Sequence, residues 1–240
     1  MKTVPEIALT AMQGDMTRMS ATSSNIANAL TPAYQRQVVV QRGIPGVSFS
    51  NQVDGLTTEL KVQNDPRPGT LKSTSNRLDV ALVSAGFFEV DTPQGPAYTR
   101  AGAFQVDARG RLVTAQGYPV MGKGGEIHLT TQTPTIDAQG AVSEGGRVVG
   151  NLKVVRFEAP QNLMRLGNGL YQGGTESMVG SVMSESQIEM RQGYLENSNV
   201  THVHEMVQMM QTLRHFESMQ RAAQSYDDML GTAIRKLGEF

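Results

Sequence analysis

At 240 residues with a formal net charge of −1, the chain is long enough to bury a substantial core and carries no basic field of the kind that phosphate backbones require. Nucleic acid is an unsuitable partner; no run approaches the roughly 18 apolar residues of a membrane span, and the opening "MKTVPEIALT" lacks the apolar core of a signal peptide. The absence of cysteine excludes disulfides and thiolate metal sites, and a hydrophobic content of 39% with 5% aromatic residues is lean enough that part of the chain is expected to need partners to become ordered.

The ends and the middle are different materials: 22 of 25 Gly and 8 of 10 Pro lie between residues 37 and 200. In the N-terminal end Leu9, Met12, Met16, Met19, Ile26 and Leu30 sit at alternating three- and four-residue steps, with Ser23 filling the gap, which is the a/d spacing of a helical seam. The seam runs into "SSNIANALTPAY", where Asn25 and Asn28 offer amides to neighbouring helices or to the backbone at the helix end. Thr31-Pro32 then turns the chain out of the helix. Residues 41–56 and 64–76 combine Pro, Gly and polar side chains and read as loops or hinges.

The middle reads as β. The stretch "RLDVALVSAGFFEVDTPQGPAYTRAGAFQVDARGRLVTAQGYPVMG" alternates short runs of Val, Leu, Phe and Tyr with turn signals at hairpin spacing. Asp107-Ala-Arg-Gly is echoed thirty residues later as Asp137-Ala-Gln-Gly, so each is expected to be a turn opened by Asp with Gly at positive φ. Return strands are expected in "NLKVVRFEA" and "SESQIEMRQGYLE".

The C-terminal end resumes the helical spacing through Met206, Met209, Leu213, Phe216, Ala223, Leu230, Ile234 and Leu237, with Gln220 and Asp227 as polar interruptions. Val203, Met210, Met219 and Tyr226 widen the stripe. Thr201 is the expected N-cap and Glu205 lies in the first turn, where the helix dipole favours a negative charge. Such a helix runs roughly 50 Å at about 1.5 Å per residue. A solitary helix of that length does not hold itself together, so pairing is required, within the chain or between copies. Methionine, with 9 of 14 copies in residues 1–36 and 201–240, suits packing against non-identical neighbours.

Chemistry is harder to find. His202 and His204 are two apart and diverge on a helix, while His204 and His215 share a face at roughly 16 Å. The glycines of "GKGGEIHL" lack the Lys-Ser/Thr and the helix of a phosphate loop, and no nucleophile elbow appears. Asp227-Asp228 belongs to an exposed helix face. No catalytic, cofactor-binding or metal site is assigned. The fold class expected is α+β: long N- and C-terminal helices forming a coiled-coil-like pair, with a central antiparallel β-rich domain. Its parts are a helical domain of residues 1–36 and 201–240, hinge or linker segments over 37–76, and a β-rich domain over 77–200.

Three ordered blocks carry a resemblance. "SSNIANALTPAYQRQ" resembles the Asn-rich motif "ANNLANxxTxGY/F" near the N-terminus of bacterial flagellar rod and hook proteins. "LDVALVSAGFFEVDTPQGPAYTRAGAFQVDARGRLVTAQGYPVMG" is similar to that family's central block, and "GYLENSNVTHVHEMVQMMQTLRHFESMQRAAQSYDDML" to its C-terminal "GxLExSNV" helix. The matching motif residues are Asn25, Ala27, Asn28, Leu195, Glu196, Ser198, Asn199 and Val200. Ser23 and Ser24 replace Ala-Asn, His204 stands where Glu is common, and Ala33 replaces the usual Gly, which argues against a positive-φ turn there.

The resemblance implies an axial structural subunit without cofactor or reaction. It further implies export by the flagellar type III apparatus without a cleaved signal peptide, location in the basal-body rod across the periplasm, and other copies and neighbouring rod proteins as partners. The terminal helices would form the inner tube and the β body would face outward. Length, the "TPAY" after the Asn motif and the short 41–76 segment favour the proximal-rod branch. The distal-rod branch and, from another class, a carbohydrate- or wall-binding β domain with helical anchors remain as alternatives.

Overall fold

A computed structural model describes residues 4–43, 58–130, 133–173 and 180–237. The chain forms two compact units. One comprises the N-terminal helix, residues 37–63 and the C-terminal helix; the other, the β body, comprises residues 28–36 and 64–200.

In the first unit the long helices are α1, Val4–Ala27, and α2, His202–Leu237. Asp15 of α1 meets His215 of α2, and ten residues further along α1 Asn25 meets Glu205, ten residues back along α2, so the helices run antiparallel. Carrying that pairing on sets the start of α1 opposite Tyr226, and α2 continues for about 16 Å more. The strand Gln37–Gly43 pairs with Thr58–Asn64. The Val38-Val39-Val40 run explains why this part of the expected hinge is strand, since branched side chains favour the pleated backbone. Most of the loop expected over 41–56 lies outside the described residues.

In the second unit residues 28–36 leave α1 through two turns: Thr31 N–H donates to the Asn28 carbonyl (3.0 Å) and Tyr34 N–H to the Thr31 carbonyl (3.3 Å). Leu30, counted into the helical seam, therefore stands in a turn beyond the helix and is 96% exposed. Ala33 adopts φ +57°, which overturns the expectation that losing the family glycine removes the positive-φ turn. An alanine tolerates the left-handed region at a cost of about 1–2 kcal/mol, and the donation of its N–H to the Glu196 carbonyl (2.8 Å) holds it there.

The central sheet has six antiparallel strands in the order Met164–Gly167, Leu170–Gln172, Gly95–Thr99, Phe87–Thr92, Val154–Arg156, Ser181–Val182. Successive side chains of a strand point to opposite faces, so Phe88 and Val154 enter one core while their neighbours Phe87 and Val155 enter another. The larger core gathers Leu82, Val90, Phe104, Leu112, Val120 and Ile127, with Phe88 and Phe104 edge to face at 5.1 Å. The smaller one holds Phe157, Leu163 and Tyr171.

Two hairpins repeat one device. Asp107 Oδ1 accepts from the N–H groups of Arg109 and Arg111 (2.8 Å each), and Asp137 Oδ1 accepts from those of Gln139 (3.0 Å) and Ala141 (2.7 Å). Gly110 and Gly140 close these turns at φ +78° and +88°, as the echoed sequence led us to expect. Both expected return segments contain strands: Val154–Arg156, then Met190–Gln192 against Val80–Leu82 and Tyr194–Glu196 against Leu71–Ser73. The last pairing puts a strand inside the 64–76 stretch read as loop.

Candidate assembly surface

The buried face of α1 runs through Ala8, Asp15, Thr22 and Asn25, with Met12, Met19 and Ile26 half-buried beside them. On α2 it runs through Glu205, Met209, Thr212, Phe216, Met219, Ala223 and Tyr226, of which Glu205 is fully buried and the rest half-buried. The seam read from the sequence is therefore divided. Met12, Met19, Ile26, Met209, Phe216 and Ala223 lie on the packed side. Leu9 and Met16, each 57% exposed, and Met206, Leu213 and Leu230 face outward, joined by Val203, Met210 and Ile234. At four of these positions the residue before takes the place in the packed face: Ala8 for Leu9, Asp15 for Met16, Glu205 for Met206, Thr212 for Leu213.

Polar groups decide that rotation. The Asp15 carboxylate, 1% exposed, accepts from Arg18 (3.0 Å) and lies 2.5 Å from His215 Nδ1. Asn25 Nδ2 donates to the Gln37 carbonyl (2.9 Å) and to Glu205 Oε2 (3.0 Å), while its Oδ1 accepts from Gln37 N–H (2.7 Å). The Asn25 side chain thus imitates one rung of a strand and joins both helices to the strand that follows. A buried donor or acceptor left unmade costs about 1–3 kcal/mol, so turning either helix outward to bury Leu9 or Met206 would forfeit these bonds. Sequence reading gave neither Asp15 nor His215 a part in the seam. The available signal was a polar side chain directly beside an apolar a/d position.

The second motif cluster lies in the β body. Glu196, on Tyr194–Glu196, is 3% exposed and paired with Arg100 at 2.8 Å. Its Oε1 accepts from Gly69 N–H (3.0 Å), and Arg100 also donates to the carbonyls of Gly86 (2.8 Å) and Leu82 (3.2 Å). Gly69 is required by this approach, because a Cβ there would stand 1.9 Å from the Asn197 carbonyl oxygen. Asn199 Oδ1 accepts from Arg36 N–H (2.6 Å), and its Nδ2 donates to the carbonyls of Asp65 (3.2 Å) and Arg67 (2.7 Å). Beside it, the hydrogen bonds of Arg67 hold the Asp65 carboxyl below its ordinary range.

The remaining motif positions do less in isolation. Asn28 supplies the acceptors of the turn after α1, and Ser198 Oγ accepts from Val200 N–H at 3.2 Å. Ala27 is exposed, and Leu195 and Val200 are half-buried. Among the described residues no group of three or more His, Cys, Asp or Glu side chains is placed to hold a metal ion, and no helix is long and apolar enough to cross a membrane.

Comparison with known proteins meets the same regions. Residues 191–236 match the family described as flagellar basal body rod FlgEFG protein C-terminal, and residues 81–144 match the flagellar hook protein FlgE/F/G D1 domain. The chain is similar to the flagellar basal-body rod protein FlgF of Escherichia coli (strain K12), 33% identical over 96% of both chains, and to that of Salmonella typhimurium, 34% identical over 96% of both. It is also similar to the flagellar basal-body rod protein FlgG of Bacillus subtilis (strain 168), 29% identical over 92% of this chain and 94% of the relative.

Proposed function

The chain belongs to the flagellar basal-body rod family, and within that family we propose that it is a FlgF-type subunit of the proximal rod, polymerising through its terminal helices into part of the drive shaft for motility. The observation that carries this reading is the half-used seam. A stripe wider than one partner needs leaves Leu9, Met16, Met206 and Leu213 open, where further helices would pack in a coiled-coil-like manner. The occupants are other copies and neighbouring rod proteins. The subunit reaches its place across the periplasm through the type III export apparatus. The FlgF type is supported by alignment over 243 residues to the Escherichia coli FlgF against 252 to the Bacillus subtilis FlgG, the shorter path fitting fewer insertions.

The test is a Met206→Glu/Leu213→Glu double variant in a strain lacking its own FlgF. Both side chains are exposed, so the purified monomer should keep its unfolding midpoint while motility is lost; persisting motility refutes assembly through this stripe. Rescue of a FlgG deletion, and not of a FlgF deletion, by the unaltered chain would move it to the distal rod.

A further inference from the structure

Asn168-Gly169 forms the turn between Met164–Gly167 and Leu170–Gln172, and it is the chain's one Asn-Gly pair. Gly167 pairs with Leu170, and Asn168 and Gly169 both lie at positive φ (+51° and +74°), which makes this a two-residue type I′ turn. Asn168 is exposed, and among the described residues its side-chain amide makes no hydrogen bond. Other asparagines differ. The amides of Asn25, Asn64 and Asn199 are bonded at both oxygen and nitrogen, and larger side chains follow them at Ile26, Asp65 and Val200. Apart from its chain neighbours, no atom stands within 4 Å of where a Cβ would sit on Gly169, so its main-chain nitrogen is open on that side.

A free amide next to an unshielded nitrogen sets up an intramolecular reaction. In the type I′ turn the peptide joining residues 168 and 169 directs its nitrogen away from the Asn168 side chain. Turning that peptide over gives a type II′ turn, which a glycine at 169 accepts and which brings the nitrogen round to Cγ. The Gly169 carbonyl stays held meanwhile by Thr99 Oγ1 (2.8 Å), so the strands need not separate. We propose that Asn168 is a self-modification site. The Gly169 nitrogen bonds to Asn168 Cγ and gives up its proton, and the side-chain nitrogen takes a proton and leaves as ammonia. Water then opens the resulting succinimide at one of its two carbonyls. The product is aspartate or, with the main chain rerouted through Cβ and Cγ, isoaspartate. A two-residue loop fixes register and has no room for the added methylene, so the isoaspartyl chain releases Met164–Gly167 from the sheet. Arg165 goes with it. Its Nε donates to Asn64 Oδ1 (2.6 Å), it also donates to the Gln35 carbonyl, and its guanidinium lies 4.6 Å over the Tyr34 ring. The site adds to the rod reading and does not rest on it.

The test ages the full-length chain in mildly alkaline buffer, with and without guanidinium, and follows the tryptic peptide 166–191, in which Asn168 is the only asparagine. Acid products at residue 168, isoaspartate among them, are expected before any at Asn25, Asn64 or Asn199. The flip puts a side chain where the backbone favours glycine, so the folded chain should react about 5- to 150-fold more slowly than the denatured one. In the isoaspartyl fraction amide hydrogen exchange should quicken at 164–167 and 34–36. In Asn168→Asp, which brings the charge without the added methylene, it should not. Asn168→Gly, which keeps a permitted Gly-Gly turn, should stop the reaction. An intact amide at 168 in the folded chain long after the denatured chain has reacted would overturn the site. Equal rates in the folded and denatured chains would overturn the flip, and unchanged exchange in the isoaspartyl fraction would overturn the release of Met164–Gly167.

Discussion

The helical unit and the β body differ in what they bury most deeply. In the body Phe88, Val90 and Leu82 are sealed inside and polar groups mark the turns. Between the helices the most deeply buried side chains include Asp15, Asn25 and Glu205, while Leu9, Met16, Val203 and Ile234 face outward. A surface that buries hydrogen-bonded polar groups gains orientation rather than hydrophobic free energy, because those groups are matched to particular partners. The body closes most of its apolar side chains into two cores, with Val148, Met164 and Val182 left exposed, whereas the helical unit is aligned by its polar contacts and leaves a stripe of apolar side chains uncovered.

Similar truncations should therefore have unequal costs. Phe88→Ala, in the body, is expected to lower stability by about 3–5 kcal/mol in urea unfolding. Leu9→Ala, in the helical unit, should change it by no more than about 0.5 kcal/mol, since the side chain is already 57% exposed. Equal losses would mean that Leu9 is buried in the solution monomer. Next in size, Glu196→Gln removes the counter-charge of buried Arg100, with an expected loss of about 3 kcal/mol, near the lower end for a broken buried pair. A loss under about 1 kcal/mol would show that the main-chain carbonyls alone satisfy Arg100.

In the helical unit the expensive residue should be polar. Asn25→Ala deprives the Gln37 N–H and carbonyl of their bonds to this side chain and takes one partner from Glu205, so a loss of about 1–3 kcal/mol is expected. If instead Asn25→Ala is neutral and Leu9→Ala costly, the rotation of α1 described above is wrong.

These contrasts explain what could be read from the sequence. The Asp107 and Asp137 turns were legible because every atom that makes them lies within five residues. Helix period and extent were nearly as clear, since spacing alone carries them. Which side of the stripe packs was not: steps of three and four fit Ala8 and Asp15 as well as Leu9 and Met16, and the choice rests on bonds from Asp15 to His215 and from Asn25 to Glu205, far apart in the chain. The strand Leu71–Ser73 was hidden for the same reason, its partner Tyr194–Glu196 lying more than a hundred residues away.

Ala33 gives the smallest and most delicate test, because the departure from the family glycine left the turn in place. Ala33→Gly relieves about 1–2 kcal/mol of left-handed strain. Against this stand about 0.4–1 kcal/mol from the freer unfolded chain and up to about 0.8 kcal/mol for a lost buried methyl. The net change should lie between about 1 kcal/mol of destabilisation and about 1.5 kcal/mol of stabilisation, centred slightly on the stabilising side. Ala33→Val, with a branched Cβ at the same positive φ, should instead cost more than about 1 kcal/mol. Urea midpoints in the order Gly, Ala, Val would place the strain in the backbone at residue 33. Val matching Gly would mean that the turn relaxes in solution, and that the Ala33 N–H bond to Glu196 does not hold the segment leaving α1.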